Sequence, residues 1–280
     1  MNFIESVRRV RKKYGVLYGM YIFSVIVILY IVHAKFKKST FEFDDKILHY
    51  HNDLINATHT NERAIEIPII WDMIKDDVSQ INGTEILEVG NVMTKYHPFE
   101  HVILDKHEDS KGVINEDVVN YKPDKKFKLI FSISTLEHVG FDEEEKDPDK
   151  IYKSVENLKS LLTDNGKLFV TIPLGYNPYL DRLLQLDKIT FNGGVYLMKR
   201  MSRSNKWAQV KYHYAFRVKY SESFPSTTNE LLIGKILKSS RNPHLVITLF
   251  SILLKTTPST SMPIPIITII TAITWDTSFN

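Results

Sequence analysis

A glycine and a carboxylate end two successive apolar segments of this chain. Ile86–Val89 is followed by Gly90 and Asn91, and Val102–Leu104 is followed by Asp105. Glycine lets the backbone approach a ligand closely. A carboxylate at the end of a neighbouring strand can accept hydrogen bonds from both hydroxyls of a ribose. The two segments therefore indicate a binding site for a nucleoside-containing ligand.

Other polar residues have the types and spacing to serve the same site. Glu88 lies inside the first apolar segment, where its carboxylate needs backbone amides or a ligand ammonium group as partners. Glu116 and Asp117 follow a third short segment. The side chain of His138, with a reference pKa of ~6.5, could accept a proton from a substrate hydroxyl. A structural role is the favoured alternative for this histidine.

The spacing of apolar residues predicts the elements that position these side chains. Strands are predicted over residues 85–90, 101–106, 112–115, 127–135 and 167–172, and helices over 61–74, 149–162 and 179–186. Ser134 and Thr135 end the fourth strand, beside the expected ligand. Strands that alternate with helices predict a doubly wound, mostly parallel sheet, because parallel neighbours need a crossover connection. Ligands bind such sheets at the carboxyl ends of the strands.

The last third of the chain has a different pattern. Residues 195–201, 206–216 and 230–237 are rich in β-branched and aromatic residues, which favours strands added antiparallel to the sheet. Residues 35–61 are predicted to be a polar connector. Residues 243–280 form an apolar tail whose structure the sequence does not specify.

Composition excludes several classes of function. The formal net charge of +3 over 280 residues is too small to predict nucleic-acid binding. The chain has no cysteine, which excludes disulfides, thiolate nucleophiles and cysteine-ligated metals and is compatible with a reducing compartment. No metal site is predicted.

The amino-terminal region predicts a membrane anchor. Residues 14–34 form an apolar segment long enough to cross a bilayer as a helix, and the preceding segment, 1–13, is basic. A buried core helix and an uncleaved signal sequence are the alternatives. The basic residues favour a cytoplasmic amino terminus, which would export the domain, whereas a cytosolic cofactor requires a cytoplasmic domain. We predict a single-pass membrane protein with a cytoplasmic catalytic domain.

Four motifs in register resemble the class I (Rossmann-like) S-adenosylmethionine (SAM)-dependent methyltransferases. They are Glu-Val-Gly at 88–90, the strand that ends at Asp105, the acids Glu116 and Asp117, and Leu-Glu-His-Val at 136–139. The resemblance implies a seven-stranded type of sheet over residues 62–242, SAM as the cofactor and methyl transfer as the reaction. It implies cofactor contacts from Glu88, Gly90, Asn91, Asp105, Lys106, Glu116, Asp117, Ser134 and Thr135, with His138 as a candidate catalytic residue.

One motif departs from the family pattern. The family's loop has two further glycines after the first, whereas this chain has Val92 and Met93 after Asn91. Side chains there would narrow the pocket for the amino-acid part of SAM. The Glu-Val-Gly-Asn form is similar to a subset associated with cell-surface glycan biosynthesis, which implies an oxygen or nitrogen acceptor on a saccharide or a lipid-linked metabolite.

Two other functions remain open from the sequence. The missing glycines would also suit a non-catalytic binding module that kept the sheet and lost methyl transfer. A nicotinamide-dependent oxidoreductase could use a similar sheet, but its Gly-x-Gly-x-x-Gly motif is absent.

Overall fold

A computed structural model describes residues 12, 15–35, 39–53, 58–211, 220 and 228–239 of the chain. The predicted apolar tail and all but one residue of the basic segment lie outside these residues. The described helices are α1 (Val16–Lys35), α2 (Arg63–Gln80), α3 (Lys150–Leu161) and α4 (Pro178–Gln185). The strands are β1 (Thr40–Phe43), β2 (Lys46–His49), β3 (Ile86–Val89), β4 (Val102–Leu104), β5 (Val113–Ile114), β6 (Phe127–Ile133), β7 (Leu162–Pro173), β8 (Gly194–Arg200), β9 (Trp207–Val210) and β10 (Glu230–Leu237).

A mixed eight-stranded sheet has the order β5-β4-β3-β6-β7-β10-β8-β9. The strands from β5 to β7 pair in parallel, whereas β10 is antiparallel to both β7 and β8. The first five positions repeat the 3-2-1-4-5 order of doubly wound nucleotide-binding sheets. This sheet and its helices confirm the predicted α/β class, and the described sheet has eight strands where the resemblance implies a seven-stranded type.

The two faces of the sheet carry separate apolar cores. On one face, α3 and α4 contribute Ile151, Val155, Leu158, Leu180 and Leu184 to a cluster with inward-facing strand residues. On the other face, α2 contributes three isoleucines, Ile67, Ile70 and Ile74, to a cluster with Phe131 and Phe169. Burial on both faces explains why the central strands read as continuous apolar runs.

The predicted polar connector is instead partly a β-hairpin. Strands β1 and β2 pair around a two-residue loop, Asp44 and Asp45, whose φ angles are 50° and 60°. Such left-handed pairs form the tight turns that match strand twist, and aspartate tolerates that conformation. The hairpin buries Phe41 and Phe43 against α2. The sequence prediction missed it because the turn contains neither glycine nor asparagine.

Helix α2 continues through Pro68 to Gln80, well beyond the predicted end at residue 74. Proline lacks the amide that would bond to the carbonyl four residues earlier, that of Ala64. In the structure the backbone amide of His51 donates to this carbonyl at 2.8 Å. An external donor therefore replaces the missing helical bond.

Two further predicted boundaries change. The predicted helix stop at residues 164–166 lies within β7, which begins at Leu162 directly after α3. Asn165 there has a φ of 63°, and the β6–β7 register shifts near Phe127, so a local irregularity replaces the expected loop. Strand β9 ends at Val210, and residues 212–216 of its predicted range lie outside the described part of the chain.

The amino-terminal apolar segment is helical, as α1. Its side chains Ile22 and Ile26 are buried, and the carbonyl of Ile26 lies 3.0 Å from Nε2 of His59. Within the described ranges, no helix meets the combined length and apolarity of a membrane span. The membrane-spanning helix predicted over residues 14–34 is therefore unsupported.

Candidate functional site

Gly90 occupies a turn that requires glycine. It follows β3 with a φ of 88°, and an added β-carbon would lie 2.2 Å from Oγ1 of Thr135. Its amide donates to the carbonyl of Leu104 at 2.9 Å. Two predicted site residues, Gly90 and Thr135, are thus in direct contact where β3 and β6 end.

Glu88 is fully buried and supports the loop after Gly90. Its Oε1 accepts hydrogen bonds from the amides of Val92 and Met93, at 2.8 and 2.7 Å. Its Oε2 lies 2.8 Å from Nε2 of His101, a partner that the sequence did not indicate. Backbone amides, one of the two kinds of partner expected, therefore bind one of its oxygens.

The side chain of Met93 does not fill the expected pocket. It is fully buried in the cluster formed by α2 with Ile67 and Ile70, while its amide is held by Glu88. The methionine side chain therefore belongs to the apolar core beneath the loop. The expectation that the side chain narrows the cofactor pocket does not hold for Met93.

Asn91 links the loop after β3 to the loop after β4. Its Nδ2 donates to Oε1 of Glu108 at 2.7 Å, and its Oδ1 accepts from Thr94. The side chain thus fixes the spacing between the two loops that flank Gly90 and Asp105.

Asp105 lies directly after β4 and is half-buried. Its Oδ1 accepts hydrogen bonds from the amides of His107 and Glu108, at 2.8 and 3.0 Å, which fixes the following turn. Among the described residues, no donor reaches Oδ2. Because Val89 pairs with Leu104 in the parallel ladder, Asp105 lies beside Gly90 at the same sheet edge.

Lys106 and Asp117 belong to a network of charges. Oδ2 of Asp117 lies 3.0 Å from Nζ of Lys106 and 2.6 Å from Nζ of Lys150, and both lysines also contact Glu143. Burial alone would raise the pKa of Asp117, but hydrogen bonds from the two lysines lower it to about 2. Glu116, the residue before Asp117, is half-buried.

Ser134 has an unusual backbone conformation for a serine. Its φ is 40°, in the left-handed region, and its amide donates to Oγ1 of Thr171 at 3.0 Å. Its hydroxyl donates to Oε1 of Glu66. Non-glycine residues in this region store strain, which is common at functional sites. The side chain is therefore engaged by a buried carboxylate of α2.

His138 is half-exposed and already paired. Its Nδ1 lies 2.6 Å from Oδ2 of Asp142, which also accepts a hydrogen bond from the hydroxyl of Tyr176 at 2.5 Å. The rings of His138 and Tyr176 contact each other edge to face at 4.9 Å. Burial raises the pKa of Tyr176, and the hydrogen bond to Asp142 raises it further. These contacts are compatible with the structural role that the sequence favoured.

A buried acidic group beside Ser134 was missed by sequence reasoning. Glu66 accepts from Thr171 at 2.7 Å and lies 3.4 Å from Arg63, whose guanidinium also donates to the carbonyl of Ile133. A second buried acid, Glu137, lies in the turn after β6, is 2% exposed, and feels the charge of Glu66. One sequence signal existed, because Glu66 stands between two isoleucines on the helix face that packs against the sheet.

A surface cavity of about 610 Å³ lies elsewhere on the molecule. Its lining includes Glu42, Tyr196 and Trp207, and it includes none of the predicted site residues. In the described parts of the chain, no cluster of three or more histidine or acidic residues could hold a metal ion. The candidate site is therefore the carboxyl edge of β3, β4 and β6.

Comparison with known proteins gave similarity to solved structures only. No protein-family model matches this chain, and no curated protein sequence matches it. The similar structures include the N-methyltransferase NodS from Bradyrhizobium japonicum in complex with S-adenosylhomocysteine (SAH), with 11% identity over 62% of this chain and 93% of that chain and a TM-score of 0.37.

Two other similar structures are also methyltransferases. A SAM-dependent methyltransferase from Clostridium acetobutylicum is 13% identical over 61% of this chain and 89% of its own, with a TM-score of 0.33. The 1,6-didemethyltoxoflavin-N1-methyltransferase from Burkholderia thailandensis was solved with bound 1,6-didemethyltoxoflavin and SAH. It is 11% identical over 63% of this chain and 79% of its own, with a TM-score of 0.35.

Proposed function

We propose that this protein is a SAM-dependent methyltransferase. The observation that carries the proposal is the adjacency of Gly90 and Asp105 at one sheet edge, fixed by the Val89–Leu104 pairing. The turn at Gly90 lies beside Asp105, whose Oδ2 is placed to accept hydrogen bonds from ribose hydroxyls. An active site of this kind needs binding and orientation more than acid or base chemistry.

The residues around this pair support the same function. When bound, SAM supplies a methyl group on a positively charged sulfur. Glu88 and Asn91 hold the loops that would enclose the cofactor, through Met93 and Glu108 respectively. In this proposal Thr135 lies beside the transferred methyl, because it contacts Gly90.

The acceptor in this proposal is an oxygen or a nitrogen atom. The narrower expectation of a saccharide or lipid-linked acceptor combined the subset resemblance with a membrane anchor, and the anchor has no support in the described helices. We place the catalytic domain in the cytoplasm, since a SAM-dependent enzyme needs that pool of cofactor and the chain has no cysteine.

Calorimetric titration of the full chain with SAM and SAH tests the proposal. We expect binding of both, and Asp105→Ala should weaken it at least tenfold, since a lost charge-assisted hydrogen bond is worth about 1.5–3 kcal/mol. Asp109→Ala, which removes an exposed acid from the same loop, is the matched control and should bind normally.

Three outcomes would point elsewhere. Failure of the unaltered chain to bind either ligand at millimolar concentration would reject the methyltransferase. Binding of NAD in place of SAM would favour the oxidoreductase. Full affinity in Asp105→Ala would show that the cofactor site is placed wrongly.

A further inference from the structure

The carboxylate of Glu137 is buried without a full set of partners. The residue is 2% exposed, and its Oε2 has no hydrogen-bond partner among the described residues. Its Oε1 lies 3.7 Å from Nε2 of His138, which is longer than a hydrogen bond. Buried polar atoms are nearly always paired, so an unpaired carboxylate oxygen indicates a missing partner.

Among the described residues, Glu137 shares the cations near it with other acids, because Arg63 pairs with Glu66 and His138 pairs with Asp142. From the start of α2 it faces Glu62, Arg63 and Glu66. Arg63 is paired with Glu66 at 3.4 Å and bonded to the strand-end carbonyl of Ile133. Burial raises the pKa of Glu137 well above its usual value, and the charges of Glu66 and Glu62 add to this shift. A hydrogen bond from its own backbone amide and the charge of Arg63 oppose it only in part. A positively charged group would complete the cluster.

The position of Glu137 connects this cluster to the proposed methyl-transfer site. It lies two residues after Thr135, whose side chain contacts Gly90. The intervening turn is fixed on both sides, because Thr171 and Glu66 hold Ser134 and because Asn177 donates to the carbonyl of Glu137 at 2.8 Å. The turn thus joins a strained residue, Ser134, of a kind common at functional sites, to the buried acid Glu137.

We propose that Glu137 binds the nitrogen of an amine acceptor and takes the proton released on methylation. This inference rests on the proposed function. The acceptor nitrogen forms a bond to the methyl carbon while the carbon–sulfur bond breaks and its electron pair stays on sulfur. The product is then a neutral thioether and a protonated amine, whose proton passes to the Glu137 carboxylate. The acceptor reacts as the neutral amine, whose lone pair forms the new bond. The protonated product then supplies the cation that Oε2 of Glu137 lacks.

The test uses sinefungin, an analogue of SAM in which an amine-bearing carbon replaces the methylated sulfur. Its amine would occupy the region of the transferred methyl, where Glu137 is placed in this proposal. In calorimetry on the full chain, we expect sinefungin to bind at least tenfold more tightly than SAH. Glu137→Gln should bring this ratio close to one while the affinity for SAH changes less than twofold.

Two further variants make the result decisive. Glu144→Gln, an exposed acid in the next loop, should leave the ratio unchanged. Glu137→Asp keeps the charge with a shorter reach, so it should retain part of the preference and serves if the glutamine variant does not fold.

The possible failures are distinguishable. If SAH binds and the ratio is the same with and without the Glu137 carboxylate, the role of Glu137 is rejected and the methyltransferase proposal stands. If the unaltered chain binds neither SAH nor sinefungin, the proposed function fails, and this inference fails with it.

Discussion

At Gly90 the backbone conformation and a neighbouring side chain both exclude a β-carbon. Gly90→Ala would combine a left-handed φ of 88° with a contact of 2.2 Å to Oγ1 of Thr135. We expect a loss of about 2–5 kcal/mol in the free energy of unfolding, the sum of backbone strain and overpacking. Urea unfolding measures this loss.

A double variant separates the two causes. Thr135→Ala removes the oxygen that clashes, so Gly90→Ala/Thr135→Ala should recover the steric part of the loss and keep the part due to φ. A double variant no more stable than Gly90→Ala, once the effect of Thr135→Ala alone is subtracted, would contradict a clash with this hydroxyl.

Sequence reasoning placed part of the candidate site at the sheet edge for a physical reason. Gly90 and Asp105 follow apolar segments directly, so their place at the sheet edge depends only on local strand formation. Glu66 and Glu137 meet through contacts between α2, β6 and β7 that join residues far apart in sequence. No local pattern encodes such a meeting, although an acid on a buried helix face was a clue.

At the scale of single elements, helix α4 contains an acid, Asp181, whose ionisation should make the stability of the protein depend on pH. Asn177 caps this helix through the amides of Tyr179 and Leu180, and Asp181 lies in its first turn. Burial raises the pKa of Asp181 to about 6, against a hydrogen bond from the amide of Gly175. The unfolded value is about 3.9, so the native state holds this proton more tightly.

The sign of the pH dependence follows from that difference. The stability that protonated Asp181 contributes to the folded state is fully present below pH ~4 and is lost as pH rises through about 6. Asp181→Asn keeps an acceptor for Gly175 and cannot ionise. Its free energy of unfolding should equal that of the unaltered chain at pH ~4. At pH ~8 it should be higher by about 1 kcal/mol, after allowance for partial solvent screening.

Chemical denaturation at several pH values measures this effect. Asp187→Asn changes an exposed acid just after the same helix and should leave the pH dependence unaltered. If Asp181→Asn unfolds with the same pH dependence as the unaltered chain, burial does not control this carboxyl group.

The helices and strands were predicted well where the periodicity of apolar residues alone determines the element. Helix α3 and the central strands followed their apolar periodicity because each packs one face or both faces into a core. The hairpin of β1 and β2 was missed because Asp44 and Asp45 form the turn through a conformation that aspartate only tolerates. Helix α2 continues past Pro68 because the amide of His51, which lies outside the helix, donates to the carbonyl of Ala64. The sequence pattern of the helix does not show this donor.

Across the whole molecule, β10 joins the parallel part of the sheet to β8 and β9. Ile233 pairs with Thr171 on one side and Tyr196 on the other, and it is fully buried. Ile233→Pro removes a backbone donor from a central strand, so we expect a loss of at least about 3 kcal/mol or failure to fold.

Soluble yield and urea unfolding measure this effect. Lys211→Pro places the same residue just after the edge strand β9, where the side chain is exposed, and should cost much less. Equal stability of the two variants would contradict the joining role of β10.

The place of β10 in the sheet also bears on how the chain is made. Synthesis proceeds from the amino terminus, so β7, β8 and β9 leave the ribosome before the strand that must lie between β7 and β8. Until residue 237 has emerged, β7 and β8 both present unpaired backbone edges, and such edges can pair with other chains. The nascent chain is therefore prone to aggregation until β10, its last described strand, has paired with both edges.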